Sequence, residues 1–305
     1  MLHYTLSRLA SAVPTLFIVI AMAFFLTRAA PGGPFDAERR LPPEIEARLE
    51  AAYYLDEPVW QQFGRYLSGL LRGDFGPSFR YQDTDVAELI AQGLPVSLTL
   101  GLLAMLLALT LGALAGTFAA LHRNGWVDRA LMALALVGLS VPNFVIAPVL
   151  VLLFAVTLRW LPAGDLVGPA SWVLPVVALA LPQVAYIARL IRAELLEVLA
   201  TPYVRAARAQ GLSLRTIIVR HAVWPTALPL VSYLGPAAAA MLTGSVVVEE
   251  IFGLPGLGRF FVQGAINRDY TVVLGIVVLY STLVIGLNLV VDLLYGWLDP
   301  RVRYR

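Results

Sequence analysis

The chain has 305 residues, of which 59% are hydrophobic and 14% charged, and its mean hydropathy is +0.77. Soluble domains are about half apolar and about a quarter charged, so this composition excludes an ordinary soluble domain and predicts a membrane protein. The absence of cysteine excludes disulfides and cysteine nucleophiles. The net charge of +2, carried by arginine without any lysine, is more typical of membrane orientation signals than of nucleic-acid binding.

Six stretches are long and apolar enough to cross a hydrocarbon core, which takes about 20 residues. They are residues 9–27, 94–121, 130–158, 172–190, 226–248 and 271–298. The first is too long for the apolar core of a signal peptide, and Arg28 and Pro31 spoil the cleavage site, so residues 1–30 are interpreted as a retained helix. The third is expected to bend at Pro142 and Pro148. We therefore predict an all-α polytopic protein with six transmembrane helices.

The one sizeable polar segment, residues 31–93, lies between the first two spans. Apolar residues at helical spacing predict one short helix over residues 44–54 and a second over residues 59–71. In the second helix, Trp60, Phe63 and Leu67 are expected to share a face. These two amphipathic helices would pack on the outer membrane surface or on a partner.

Arginine predicts the orientation, because loops rich in it stay in the cytoplasm. An N-terminus inside the cell assigns most loop arginines to that side, namely Arg8, Arg123, Arg129, Arg189, Arg192, Arg205, Arg208, Arg215, Arg220, Arg301, Arg303 and Arg305. Both termini are then cytoplasmic, including the tail 299–305. Residues 31–93 are extracytoplasmic, and residues 94–298 form a core of five helices.

The loop over residues 192–225 is the most informative part of the core. Thr201 is a suitable N-cap, Pro202 suits the first helical turn, and Gly211 suits the left-handed position after a helix. These residues predict a helix of about two and a half turns, too short to span a bilayer. A second short helix would begin after Ser213, and Pro225 and Pro229 would mark the entry to the fifth span.

Ala206, Ala207 and Ala209 give the first of these helices a small-residue surface that another backbone could approach closely. An arginine-rich cytoplasmic loop with an alanine-rich helix would explain the charge. It would not explain the cap, the small surface and the terminal glycine at one spacing.

The Ala206-Ala207-x3-Gly211 spacing resembles the conserved loop of ATP-binding-cassette importer permeases. Arg205 stands where that family usually has Glu, and Pro225 falls one residue late. Both departures are common in the peptide branch of the family. Residues 248–258, 267–270 and 299–304 resemble dipeptide, oligopeptide and nickel permeases. Residues 30–35, 41–44 and 73–79 look most like the B subunit of oligopeptide permeases.

This resemblance implies a type I importer permease in a bacterial inner membrane, with the loop forming a coupling helix in a groove of an ATPase. The residues that it implicates in coupling are Tyr203, Arg205, Ala206, Ala207, Ala209, Gly211, Leu212 and His221. The expected partners are two ATPases, a second homologous permease subunit and an extracytoplasmic peptide-binding protein. The chain has no G-x-x-x-x-G-K-[ST] motif, so ATP and Mg²⁺ are expected on the ATPases, and the chain itself is expected to be no enzyme and to bind no cofactor.

Polar residues within or beside the spans are candidates for the translocation path, because they are costly in lipid. Asn288 and Asp292 lie one turn apart in the sixth span, although Asp292 would more readily pair with an arginine near the inner boundary. Glu249 and Glu250, at the outer end of the fifth span, would meet a peptide amino group or hold the adjacent loop as interfacial charges. The residues do not distinguish these alternatives.

Other functions fit the sequence less well. An intramembrane hydrolase would need a nucleophile–base pair or H-E-x-x-H within a span, and neither occurs. An ion-coupled secondary transporter would be expected to have carboxylates near the middle of the membrane, and a structural anchor would need no coupling loop. The resemblance therefore favours an oligopeptide importer subunit, with dipeptide, nickel and peptide-antibiotic import as alternatives.

Overall fold

A computed structural model describes residues 2–29, 54–81 and 83–298. Within these ranges the chain is helical, and an isolated bridge between Pro77 and Asp85 is the one β contact. The α-helices are α1 (Leu2–Ala29), α2 (Val59–Leu70), α3 (Val86–Leu121), α4 (Trp126–Ser140), α5 (Asn143–Leu150), α6 (Val173–Leu199), α7 (Pro202–Ala209), α8 (Leu214–Ile217), α9 (Val223–Ile251), α10 (Leu257–Ile266) and α11 (Tyr270–Leu298).

Five helices of the described chain are long and apolar enough to cross a membrane, or six if a bent pair counts as one span. This confirms the prediction of an all-helical polytopic protein. The fifth span differs in extent, because α9 begins at Val223 and continues a helical segment that starts at Leu214. Pro225 and Pro229 therefore lie inside the helix and do not mark its start.

The third span bends at Pro142 as predicted, but so sharply that it consists of two helices. The pair formed by α4 and the segment Asn143–Thr157 bends by 106°. Val141 is extended at the break, with φ −95° and ψ 119°, because a following proline disfavours helical backbone. Pro142 then occupies the N-cap position of α5, and a π-helical segment follows over Val151–Thr157.

Contacts divide the chain into two compact units. The first comprises Met1–Leu6, Leu98–Leu254 and Gly286–Arg305, and the second comprises Ser7–Ser97 and Pro255–Ile285. In the first unit, α6 is the central helix and packs against α4, α5 and α9. Its long buried side supplies much of the core of this unit.

Glycines in α3 allow this helix to approach α6 closely. A Cβ atom added to Gly116 would lie 2.5 Å from the Ala188 carbonyl oxygen, and one added to Gly112 would lie 2.8 Å from the Ile187 side chain. Backbone atoms cannot move aside as a flexible side chain can. Gly116 is therefore required for the packing of these two helices.

The Gly116→Ala variant is expected to lose about 1–3 kcal/mol of stability, because the added methyl group forces the two helices apart. Gly101→Ala is the matched control in the same helix, since a Cβ atom there would meet nothing within 4 Å. The thermal unfolding midpoint in detergent checks the comparison. Equal midpoints for the two variants would contradict the packing role of Gly116.

In the second unit, α2 packs on α1 through aromatic rings. The ring centroids of Phe24 and Phe63 are 5.2 Å apart, and those of Phe24 and Tyr66 are 5.8 Å apart. The predicted helix over residues 59–71 is thus confirmed within one residue. Trp60, however, is 72% exposed and does not share the packed face of Phe63. Most of the helix predicted over residues 44–54, like the tail 299–305, lies outside the described residues.

The start of α11 is held by Asp269, a fully buried carboxylate. Its Oδ2 atom accepts a 2.5 Å hydrogen bond from the Ser78 hydroxyl and a 3.2 Å bond from the Arg80 amide. Its Oδ1 atom accepts a bond from the Thr271 hydroxyl and another from the Val272 amide. The carboxylate therefore caps α11 and fixes the segment after α2 to it.

Candidate functional site

The short helix predicted in the loop after the fourth span is present as α7. Thr201 occupies the N-cap position with extended backbone, φ −68° and ψ 152°. The predicted N-cap position is thus confirmed, although the Thr201 hydroxyl donates to the Val198 carbonyl at 2.6 Å and makes no capping bond. Pro202 takes the first helical position, where the missing N–H group costs nothing.

Gly211 ends α7 as predicted, with φ +82°. The Gly211 amide donates to the Arg208 carbonyl at 2.9 Å, and the Leu212 amide donates to the Ala207 carbonyl at 3.3 Å. These two bonds form a Schellman motif, which needs a residue in the left-handed conformation. A Cβ atom at Gly211 would meet nothing within 4 Å, so the backbone conformation, and not space, calls for glycine.

The α7 helix has a buried side and an exposed side. Val204 and Ala207 are buried among the side chains of an apolar cluster formed with Ala120, Leu195, Val198, Ile217 and Ala222. Ala206 and Ala209 are exposed. The predicted small-residue surface is therefore divided: Ala206 and Ala209 are open to a partner, whereas Ala207 packs against the chain's own core.

The exposed side of α7 and the residues just after it form what we call the coupling surface, after the role that the sequence analysis predicts for this loop. Its members are Tyr203, Arg205, Ala206, Arg208, Ala209, Gly211 and Leu212. Tyr203 is 46% exposed and Leu212 38% exposed. The surface thus combines three small residues, two larger side chains with apolar parts and two arginines, and can receive a partner with an acidic or polar rim around an apolar groove.

The coupling surface is tied to the helix of the fifth span by one side-chain bond and by the short segment 210–213. The Ser213 hydroxyl caps α8 by accepting the Thr216 amide at 3.2 Å, as predicted. The Tyr203 hydroxyl donates to the carbonyl oxygen of His221, a half-buried residue, at 3.3 Å. A π-helical turn, Ile218–Ala222, joins α8 to α9. The short segment 210–213 separates α7 from this continuous helix, and the bond from the Tyr203 hydroxyl links the two across it.

A buried ion pair, which the sequence analysis missed, joins the start of α4 to α6. Arg192 donates to Asp128 through Nε at 2.5 Å and through Nη2 at 2.7 Å. The Asp128 side chain is 4% exposed and also accepts a bond from the Asn124 amide. From the sequence, Arg192 was interpreted only as one of the arginines that set the membrane orientation. The available clue was an acid in the first helical turn after Asn124-Gly125.

The four predicted path residues do not form one site. Asn288 lies where α11 meets α9, since a Cβ atom at Gly235 would collide with its side-chain oxygen. Glu249 is fully buried, and Glu250 and Asp292 are half-buried. Glu249 is 14 residues from Gly235, which corresponds to about 21 Å along α9. Asn288 of α11 therefore contacts α9 at a level well separated from that of the two glutamates.

The second unit contains a cavity of about 240 Å³ between α1, α2 and the start of α11. Its walls include Phe24, Arg28, Tyr66 and Phe75. Burial raises the pKa of the Tyr66 phenol well above its usual range, so that hydroxyl stays neutral. None of the residues predicted for coupling or for the path lines this cavity.

Similar proteins of known sequence cover the whole chain. Residues 108–304 match the family described as binding-protein-dependent transport system inner membrane component. The chain is 50% identical to the oligopeptide transport system permease protein OppB of Haemophilus influenzae, with 100% of both chains aligned. It is 49% identical to OppB of Escherichia coli K12, again over 100% of both. It is 41% identical to the dipeptide transport system permease protein DppB of Bacillus subtilis, over 99% of this chain and 98% of that protein.

Solved structures share the fold at lower sequence identity. The MetNI methionine ABC transporter in an inward-facing conformation matches 69% of this chain and 96% of its own chain, with TM-score 0.60 and 19% identity. An amino acid ABC transporter solved with histidines matches 68% of this chain and 93% of its own, with TM-score 0.52 and 23% identity. The chain therefore belongs to the family of inner membrane components of binding-protein-dependent transport systems.

Proposed function

We propose that this chain is a transmembrane subunit of an ATP-driven importer and forms half of the translocation path for oligopeptides. An extracytoplasmic binding protein delivers the peptide to it. The full-length 50% identity to an oligopeptide permease supports the choice of substrate. The observation that carries the coupling role is the exposed α7 helix, whose end is fixed by a Schellman motif and whose Tyr203 hydroxyl bonds to the continuous helix of α8 and α9.

The arginine distribution supports a topology with both termini in the cytoplasm and with residues 31–93 outside. In this topology the coupling surface faces the cytoplasm, where the ATPases act. The type I importer fold of the solved relatives fits the same arrangement. Residues 31–93 would then lie on the side of the membrane where the binding protein acts.

The energy must come from other chains. A P-loop needs a lysine to reach the nucleotide phosphates, and this sequence contains no lysine at all. The complete importer would contain two ATPases that hold ATP and Mg²⁺, and a second homologous permease subunit that supplies the other half of the path. This chain would bind neither the nucleotide nor a metal.

The mechanism that we propose is alternating access. Closure of the ATPases on ATP moves α7, and the short turn to α8 together with the Tyr203–His221 bond passes this movement to α9. The buried Asp128–Arg192 pair keeps α4 and α6 together, so they would tilt as one body. The loaded binding protein must favour the outward-facing state, because only a difference in affinity between two states shifts their equilibrium.

Dipeptide import is the second candidate, because DppB of Bacillus subtilis is 41% identical to this chain. Uptake of a peptide length series separates the two. The complete complex and its binding protein are reconstituted in proteoliposomes, and uptake is divided by the amount of peptide that the binding protein holds. We expect ATP-dependent uptake of tripeptides and longer peptides. Uptake restricted to dipeptides would favour the second candidate, and uptake driven by an ion gradient alone would contradict both.

A further inference from the structure

Three polar residues interrupt the apolar sequence of α6, near the middle of this 27-residue helix. They are Gln183, Tyr186 and Arg189. Tyr186 is 41% exposed, and Arg189 is exposed as well. Ala193 and Glu197 continue the exposed stripe at the spacing of one helix face. The function proposed above does not by itself account for this stripe.

Tyr233 of α9 extends the polar group. Its ring stacks on Tyr186, with centroids 4.0 Å apart and an angle of 16° between the planes. Its hydroxyl donates to the Gln183 side-chain oxygen at 2.5 Å. This bond uses the amide oxygen and leaves the Gln183 N–H groups as donors. Two helices thus present stacked aromatic rings and hydrogen-bonding groups side by side.

Arg189 differs from its neighbour Arg192 in its surroundings. Arg192 is held by Asp128, whereas Arg189 takes part in neither of the two ion pairs described, Glu57–Arg65 and Asp128–Arg192. It lies ten residues before the end of α6 at Leu199, or about 15 Å into the helix. The span predicted over residues 172–190 places Arg189 at its cytoplasmic end, where a guanidinium faces protein or a water-filled path and not lipid.

We infer that Gln183, Tyr186, Arg189 and Tyr233 line the peptide path, with Arg189 binding the peptide's terminal carboxylate. This inference rests on the proposed function and assigns residues to the path. The guanidinium matches a carboxylate in charge and shape. The Gln183 N–H groups donate to backbone carbonyls, and the stacked rings accept side chains of many kinds. These contacts recognise the backbone and the terminus, so they suit a substrate class of varied sequence.

The test compares a peptide with a free carboxylate and the same peptide with an amidated C-terminus, in the complete ATP-driven complex. For each peptide, uptake by Arg189→Gln is divided by uptake by the unsubstituted complex, so preferences of the shared binding protein cancel. We expect about a tenfold loss for the free carboxylate and little change for the amide. Arg189→Lys should restore much of the loss. Arg123→Gln, at an exposed arginine between α3 and α4, should affect neither peptide.

Four outcomes would overturn the assignment. One is an equal loss for both peptides, as expected if this face only packs against the second permease subunit. A second is no loss of uptake for either peptide. A third is that the Arg189→Gln variant fails to assemble, and a fourth is that the Arg189→Lys variant fails to restore uptake. In each case ATP-driven uptake by the unsubstituted complex leaves the proposed function standing. Absence of that uptake would instead count against the proposed function itself.

Discussion

The Ala206→Trp variant is expected to lose nearly all ATP-driven peptide uptake while the chain itself remains folded. Ala206 is exposed on α7, so the indole would protrude from the coupling surface without entering the core. A partner backbone that approaches an alanine closely cannot accommodate this bulk. Three measurements check this expectation. Uptake in proteoliposomes reports transport, the thermal midpoint of the purified chain reports folding, and the amount of co-purified ATPase reports docking.

Two control variants separate docking from folding. Ala207→Trp places the same bulk inside the apolar cluster beneath α7, so we expect a lower thermal midpoint as well as lost uptake. Ala130→Trp adds it at an exposed position of α4 and should change neither. Full uptake by Ala206→Trp, with a normal amount of ATPase bound, would exclude α7 as the docking element.

Removal of one partner from the Asp128–Arg192 pair is expected to have the second large effect. The Arg192→Met variant leaves a carboxylate that is 4% exposed without its counter-charge, and such a loss costs about 3 kcal/mol or more. We expect a clear fall in the thermal midpoint of the chain in detergent. We also expect reduced uptake, because α4 and α6 would no longer move together.

The double variant Asp128→Leu, Arg192→Met is the informative control. It removes both charges and fills the space with apolar groups, so stability should largely return, as for other buried pairs replaced by apolar residues. Arg129→Met, at the exposed arginine beside Asp128, should be near neutral. A double variant as unstable as Arg192→Met would show that the pair does more than neutralise a buried charge.

Local signals explain the parts of the fold that the sequence predicted well. Long apolar runs identify spans because the bilayer requires about 20 such residues, and α1, α3, α6 and α11 follow them. The bounds of α7 were also predictable from local signals. Pro202 and Gly211 act through their own backbone preferences, whatever surrounds them.

Tertiary contacts explain what was missed. Whether Ala206 or Ala207 faces outward depends on which side of α7 meets the rest of the chain. The Asp128–Arg192 pair joins residues 64 positions apart, and the Tyr233–Gln183 bond joins residues 50 apart. The break at Val141 was predicted only in part, because Pro142 predicts a bend but not its size of 106°.

Docking of a separate ATPase on the coupling surface is tested most directly by cross-linking, since the chain contains no native cysteine. A photoactivatable cross-linker is attached to the Ala206→Cys variant, and to Ala130→Cys as control, in the assembled complex. We expect a covalent product that contains the ATPase from position 206 and none from position 130. No ATPase product from position 206, in a complex that still transports peptide on ATP, would contradict the assignment of α7 as the docking element.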